Sequence, residues 1–283
     1  MSYLPVVRHL RSRDGTAIYA EGIGNPHHPH LILAHGLGLS SAALNNLFTD
    51  KRLLENVYLV RYDLRGHGRS GMPSDPAAYE SSRWAEDYAE VVHAFELKDV
   101  IHVGWSYGCT VAADVCAHLK PNPIRALVYV AALPYVGSIM ERVGTPTVIG
   151  FLPGLTDMAD VVVNSRTKIA FIDSLFVHPE HVDFEVKMSW LGQAGLQPPD
   201  IAQLVLTRQQ DPKGLFEAGK KLKMLVLNGT GDKQVFGDVV VKEMSPYFED
   251  MEVVMIEDGA HALWYEKQDE VVEALLRFVE RVA

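Results

Sequence analysis

Hydrophobic positions in this chain form two kinds of pattern that take turns along its length. Residues 6–11 and 17–21 flank Arg13-Asp14-Gly15-Thr16, and an Asp-Gly turn between two such segments predicts a hairpin. Short, almost wholly apolar runs come next, at residues 31–34, 57–60, 100–105, 126–133, 224–227 and 252–256. Runs of that length predict strands covered on both faces of a sheet. Between them the spacing changes to that of a helix. Trp84, Tyr88, Val91, Val92 and Phe95 lie on one face of residues 81–97, with Ser81 or Ser82 as the N-cap. A second helix is predicted at 107–119, stopped by Pro121 and Pro123. Another ends before Pro246, and an amphipathic one covers 270–282.

Strands that alternate with helices predict an α/β protein, with a mostly parallel sheet and helices on both faces. The hairpin and the six apolar runs together make eight strands. The alternation lapses once. Between residues 133 and 223 there are helical fragments at 161–176, 181–191 and 199–209, but no strand pattern. A loop of that length is foreign to a compact domain. The expectation is an inserted helical subdomain at residues 134–221, on a core made of residues 1–133 and 222–283.

Composition narrows the class of partner. The 283 residues are 48% hydrophobic and 22% charged, ordinary for a globular chain, and the formal net charge is −10. An acidic balance argues against nucleic acid and against an anionic membrane surface, since both need surplus Lys and Arg. The first eight residues lack the charged-then-apolar layout of a signal peptide, and no apolar run is long enough to cross a bilayer. The only cysteines, Cys109 and Cys116, stand seven apart on one predicted helix, too far for a disulfide. Buried thiols in a reducing compartment follow, and with them a cytoplasmic location. His27-His28-Pro29-His30 is read as a loop, because Pro29 breaks any regular metal-ligand spacing.

Chemistry enters at Gly104-Trp105-Ser106-Tyr107-Gly108, which stands between a predicted strand and a predicted helix. A G-x-S-x-G run in that context is a nucleophile elbow: the serine occupies a sharp turn, and side chains two positions to either side would collide. Two further blocks accompany it, His35-Gly36-Leu37-Gly38 after the first apolar strand and Asp63-Leu64-Arg65-Gly66-His67-Gly68-Arg69-Ser70 after the second. Gly36 and Gly38 are not a phosphate loop, since no Gly-Lys-Ser/Thr follows. The Asp63 to Ser70 block is read as a structural turn.

On these three blocks the whole chain resembles the α/β-hydrolase fold superfamily, in particular its capped serine esterases and lipases. The resemblance implies a triad in the order Ser, acid, His. Ser106 matches the nucleophile. His261, on the loop after the last strand, matches the general base. Asp232, after the penultimate strand, matches the acid. Some relatives place the acid one strand earlier, but that exit here reads Ala131-Ala132-Leu133-Pro134-Tyr135-Val136-Gly137, with no carboxylate before Glu141. Asp258 stays open as an alternative. The oxyanion hole is expected from the backbone N–H groups of Leu37 and Tyr107.

The resemblance implies no cofactor and no metal. The partner is a small-molecule substrate, expected to be a small or medium hydrophobic ester, thioester or lactone cleaved through an acyl-enzyme. Trp105, Met140, Phe151, Phe176 and Trp190 are candidates for the substrate pocket. A carbon–carbon bond hydrolase and a cofactor-free haloperoxidase use the same triad, and proline-specific peptidases share it. Epoxide and haloalkane hydrolases need a carboxylate where Ser106 stands. A receptor that binds a small ligand without turning it over is the reading from a different class, because fold alone never fixes function.

Overall fold

The computed structural model describes residues 4–283; Met1, Ser2 and Tyr3, part of the stretch inspected for a leader, lie outside the described residues. The Asp14-Gly15 turn joins β1 (Val6–Arg11) to β2 (Ala17–Ile23) as an antiparallel hairpin. β3 (His30–Ala34) follows, so His30 belongs to a strand and only the preceding histidines lie in a turn. Two short helices, α1 (Asn45–Phe48) and α2 (Lys51–Asn56), lead to β4 (Tyr58–Tyr62). Helix α3 (Ser81–Ala94), strand β5 (Val100–Trp105), helix α4 (Val111–His118) and strand β6 (Ile124–Val130) complete the first half. Neither Ser81 nor Ser82 caps α3. Glu80 holds that position without a side-chain bond, and the Ser81 hydroxyl donates instead to Asp114 Oδ1 at 2.6 Å.

Among the described residues, the chain between β6 and β7 forms no strand of the sheet. It builds α5 (Ile139–Val143), α6 (Pro146–Leu155), α7 (Val161–Asp173), α8 (Phe184–Leu196), α9 (Pro199–Thr207) and α10 (Lys213–Gly219). The chain then returns through β7 (Lys223–Gly229), α11 (Gly237–Met244), β8 (Asp250–Ile256), α12 (Leu263–Glu266) and α13 (Gln268–Val282). No helix of the described residues is long and apolar enough to cross a membrane.

All eight strands join one sheet in the order β1-β2-β4-β3-β5-β6-β7-β8. β1 and β2 run antiparallel, and every pairing from β4 through β3 to β8 is parallel. Parallel strands deliver their C-terminal loops to one edge of the sheet, and such folds bind ligands where the strand order reverses. Here β3 lies between β4 and β5, so the loops after β3, β5, β7 and β8 share that edge.

The central strands are apolar because both faces are covered. Residues of β4 and β5 are buried throughout, as are residues 31–34 of β3 and all of β7 after its first residue. β8 departs from the expected pattern: Val253 and Met255 are exposed, because β8 is the last strand of the sheet and lacks a neighbour on one side. The apolar run predicted to reach residue 133 leaves the sheet at Val130. Ala131 turns away with φ +46° while its N–H still reaches Leu227 O at 2.9 Å.

Candidate active site

Ser106 stands where β5 ends, at the head of a one-turn 3₁₀ segment (Ser106–Thr110) that runs into α4. Its φ is +51°, a left-handed conformation that costs a non-glycine residue of order 1 kcal/mol or more. The surrounding chain enforces it. A Cβ on Gly104 would lie 2.5 Å from Cys109 Cα, and one on Gly108 would overlap the Ala34 carbonyl. Two glycines thus let the turn close against its own helix and against the end of β3, leaving the serine side chain at the sheet edge.

Asp232 lies on the loop after β7 and His261 on the loop after β8, and the two side chains meet. His261 Nδ1 is 3.0 Å from Asp232 Oδ2 and 3.1 Å from Oδ1, and both side chains are only 1% exposed. Asp232 Oδ1 also accepts the N–H groups of Gln234 at 2.8 Å and Val235 at 3.0 Å, which fix the carboxylate on its own turn. The two loops are tied through their backbones as well: Thr230 N–H donates to Ile256 O and Gly231 N–H to Gly259 O, each at 3.0 Å. With the carboxylate on Nδ1, the imidazole carries its proton there and leaves Nε2 as an acceptor. That atom is buried and has no hydrogen-bond partner among the described residues. No Ser106–His261 hydrogen bond is formed in this state; such contacts are often long before substrate binds. Asp258, by contrast, is exposed, and its N–H is engaged by Thr230 Oγ1 at 2.9 Å.

Trp105 holds His261 in place. Its indole N–H donates to the His261 carbonyl at 3.0 Å, and its ring packs 5.7 Å from the imidazole, with Trp264 edge-on at 4.4 Å. Trp105 is thus buried behind the histidine. Phe176 and Trp190 join the same aromatic cluster, 5.2 Å apart, and Phe151 packs edge-on at 6.1 Å from Phe171. None of these four lines the cavity beside Ser106. Trp105, Trp190, Trp264 and Phe176 thus form one aromatic cluster behind His261.

That cavity is narrow, with about 60 Å³ of room for the centres of water-sized molecules. Leu37, Ser106, Tyr107 and Met140 line it, all of them candidates from the sequence. The rest of the wall comes from Leu133, Val143, Gly144, Val148, Ile149, Leu152, Phe171 and Leu206, all between β6 and β7, and from Gln234 and Val235 on the turn that carries Asp232. The Leu37 N–H has no acceptor among the described residues, and the Tyr107 N–H lies in the first turn after Ser106, where helical N–H groups are unpaired. Both backbones therefore offer donors beside the serine.

The loop that carries Leu37 is braced from beneath. His35 Nδ1–H donates to Gly36 O at 2.8 Å, and its Nε2 accepts the Leu64 N–H at 3.0 Å, so the ring is a neutral pin between two loops. Burial lowers its pKa to about 4. Asp63 accepts the Ser41 N–H and hydroxyl and the Arg69 N–H and guanidinium, all within 3.1 Å. Burial alone would raise its pKa; the Arg69 bond, His35 and Ser41 outweigh it and bring it down to about 2.

Arg208, at the end of α9, enters the core fully buried. It donates to the Tyr107 hydroxyl at 2.7 Å, Thr110 Oγ1 at 2.9 Å and Asp114 Oδ1 at 2.9 Å, with Trp84 stacked 4.2 Å below. Helix α4, which follows Ser106, is thus clamped by a residue from the helical stretch between β6 and β7. The sequence gives no sign of this, because an arginine near a helix end is ordinarily solvated.

The comparisons agree with this architecture. A family model described as the alpha/beta hydrolase family matches residues 31–274. An esterase, RhEst1, from Rhodococcus sp. ECU1013 superimposes with a TM-score of 0.85 at 26% identity, covering 98% of this chain and 99% of its own. An N-acyl homoserine lactonase, the AidH E219G mutant in complex with N-hexanoyl homoserine, superimposes at 0.78 and 19% identity, over 100% and 98%. Among curated relatives, a non-heme chloroperoxidase from Streptomyces lividans is 31% identical over 129 residues, 45% of each chain. The chain thus aligns with less than half the length of the first curated relatives it matches. With a matching model over most of its length and the same eight-stranded sheet, the chain belongs to the alpha/beta hydrolase family.

Proposed function

We propose that this protein is a serine hydrolase that cleaves a small or medium hydrophobic ester, thioester or lactone through an acyl-enzyme. The observation that carries the reading is the His261 imidazole, pinned through Nδ1 by Asp232 with its Nε2 unpaired, on the sheet edge that also presents the strained Ser106. A serine hydroxyl is barely nucleophilic at neutral pH without a base. In the proposed cycle Ser106 Oγ attacks the carbonyl carbon while its proton passes to His261 Nε2. Asp232 stabilises the imidazolium without taking the proton. The oxyanion is held by the N–H groups of Leu37 and Tyr107. Collapse of the tetrahedral intermediate returns the proton to the leaving oxygen or sulfur and leaves the acyl group on Ser106. Water then repeats the sequence, releasing the acid and restoring the serine.

Residues 134–221 are the roof of this site in the proposal, since Met140, Val143, Val148, Ile149, Leu152, Phe171 and Leu206 give an almost wholly apolar wall suited to an aliphatic or aryl group. Names borne by relatives support a second acceptor for the acyl group. One is a bifunctional esterase/perhydrolase from Acinetobacter calcoaceticus, 30% identical over 128 residues. Hydrogen peroxide in place of water would yield a peracid from the same acyl-enzyme.

A fluorophosphonate probe tests the proposal. Covalent labelling of Ser106, lost in Ser106→Ala, is the expected result, together with turnover of p-nitrophenyl esters. An unlabelled, inactive protein with native circular dichroism would overturn it in favour of a ligand-binding role.

A further inference from the structure

Apart from Ser106, the residues that line the cavity include one polar side chain, that of Gln234, with a hydrogen-bonding atom not engaged among the described residues. The Tyr107 hydroxyl donates to Val205 O at 2.8 Å and accepts from Arg208, so it is spent away from substrate. Every other side chain on the wall is apolar except that of Gln234, which is 2% exposed. Its amide orientation follows from its partners. The Ser174 hydroxyl gives its proton to Phe171 O at 2.7 Å, so it can only accept from the amide atom 2.7 Å away. That atom is Nε2, which also points to Phe171 O at 3.4 Å. Oε1 is left with no donor among the described residues.

We infer that Oε1 of Gln234 is a substrate-binding acceptor, and that the preferred substrate carries a hydroxyl or secondary-amide N–H in the part that enters this cavity. The inference rests on the hydrolase reading and narrows its substrate class from plain hydrophobic acyl compounds to acyl compounds with one internal donor. The physical reason is the cost of an unmet acceptor. A purely hydrocarbon chain would displace solvent from Oε1 and offer it nothing, whereas a donor at that point satisfies it in a surrounding of low dielectric. A site built around a substrate hydrogen bond discriminates strongly against analogues that lack the group. The position is also rigid: the Gln234 N–H binds Asp232 Oδ1, its carbonyl accepts the Thr145 N–H at 2.9 Å, and the amide end is held by Ser174 at the end of α7. Acid turn and acceptor therefore keep a fixed distance, so the donor must stand at a fixed number of bonds from the scissile carbonyl.

The experiment compares p-nitrophenyl hexanoate with esters of the same chain length carrying one hydroxyl or one secondary amide at successive positions. The N-methylated amides serve as donor-free controls of equal polarity. One position is expected to give kcat/KM at least about tenfold above both the hydrocarbon and the N-methyl control. Gln234→Met, which keeps the length and the backbone N–H to Asp232, should bring that ratio close to one. If Gln234→Met does not fold, Ser174→Ala serves instead: freeing Nε2 lets the amide turn, and the ratio should fall in the same way. Efficient hydrolysis of the whole panel with no position favoured, or a preference that survives both substitutions, would overturn this inference and leave the hydrolase reading intact. Failure of every ester, with Ser106 unlabelled, would instead remove the hydrolase reading itself.

Discussion

Acid should unfold this protein well before its carboxylates become protonated, because three imidazoles are sealed in the core in their neutral form. His35, His67 and His102 have no exposed surface. Burial lowers their pKa values from the ordinary 6.5 to about 4, about 3 and about 4, against smaller opposing effects from Asp63 on the first two and from the Gly108 carbonyl on the third. In the unfolded chain each ring takes up a proton as pH falls through 6.5; in the folded chain none does until pH approaches 4. The stability they confer is complete above the unfolded pKa and is lost progressively as pH falls toward the folded one. At pH 5 the cost is about 2 kcal/mol per ring, or about 6 kcal/mol for three. That is comparable with the roughly 5–15 kcal/mol of a whole domain. Urea unfolding followed by circular dichroism between pH 8 and pH 5 measures it, and below about pH 6 the slope of free energy against pH should approach three protons. His102→Asn removes one ring and should lower that slope toward two. A free energy constant to within about 1 kcal/mol from pH 7 to pH 5 would refute the reasoning.

Two further outcomes are expected. Asp232→Asn should keep the geometry but present the wrong His261 tautomer, lowering turnover by about 10⁴-fold with an unchanged circular dichroism spectrum; near-normal turnover would shift the acid role to Asp258. Arg208→Met should destabilise the fold by about 3–5 kcal/mol in urea, because it strands the Asp114 carboxylate in the core, and Arg208→Met with Asp114→Leu should recover part of the loss.

The elements that could be read in advance were those whose surroundings are uniform. A strand between two covered faces is apolar at every position, so β3 to β7 announce themselves, and β8 misleads because an edge strand carries an apolar run into solvent. The positions of Ser106, Asp232 and His261 are equally legible, since each is fixed by its place after a strand and each strand delivers its loop to the same edge. The helices of the inserted segment were only partly visible. α5 is five residues long and α6 carries Gly150, Pro153 and Gly154, so neither shows a clean helical period.

Why the pocket wall resisted prediction follows from helix geometry. One residue turns a helix by about 100°, so a face that meets substrate and a face that meets core differ by a single step in sequence. Phe171 reaches the cavity from α7, and Phe176, just beyond the end of that helix, packs on Trp190 instead. Val148, Ile149 and Leu152 line the cavity from α6 while Phe151 stacks on Phe171. Residue type decides which side chains leave water; the docking of α6 and α7 on the sheet decides which of them face Ser106. Gln234 is the extreme case. Its side chain acts as an acceptor only because Ser174, sixty positions earlier in the chain, takes its donor end, and no local pattern carries a relation between two loops brought together by folding.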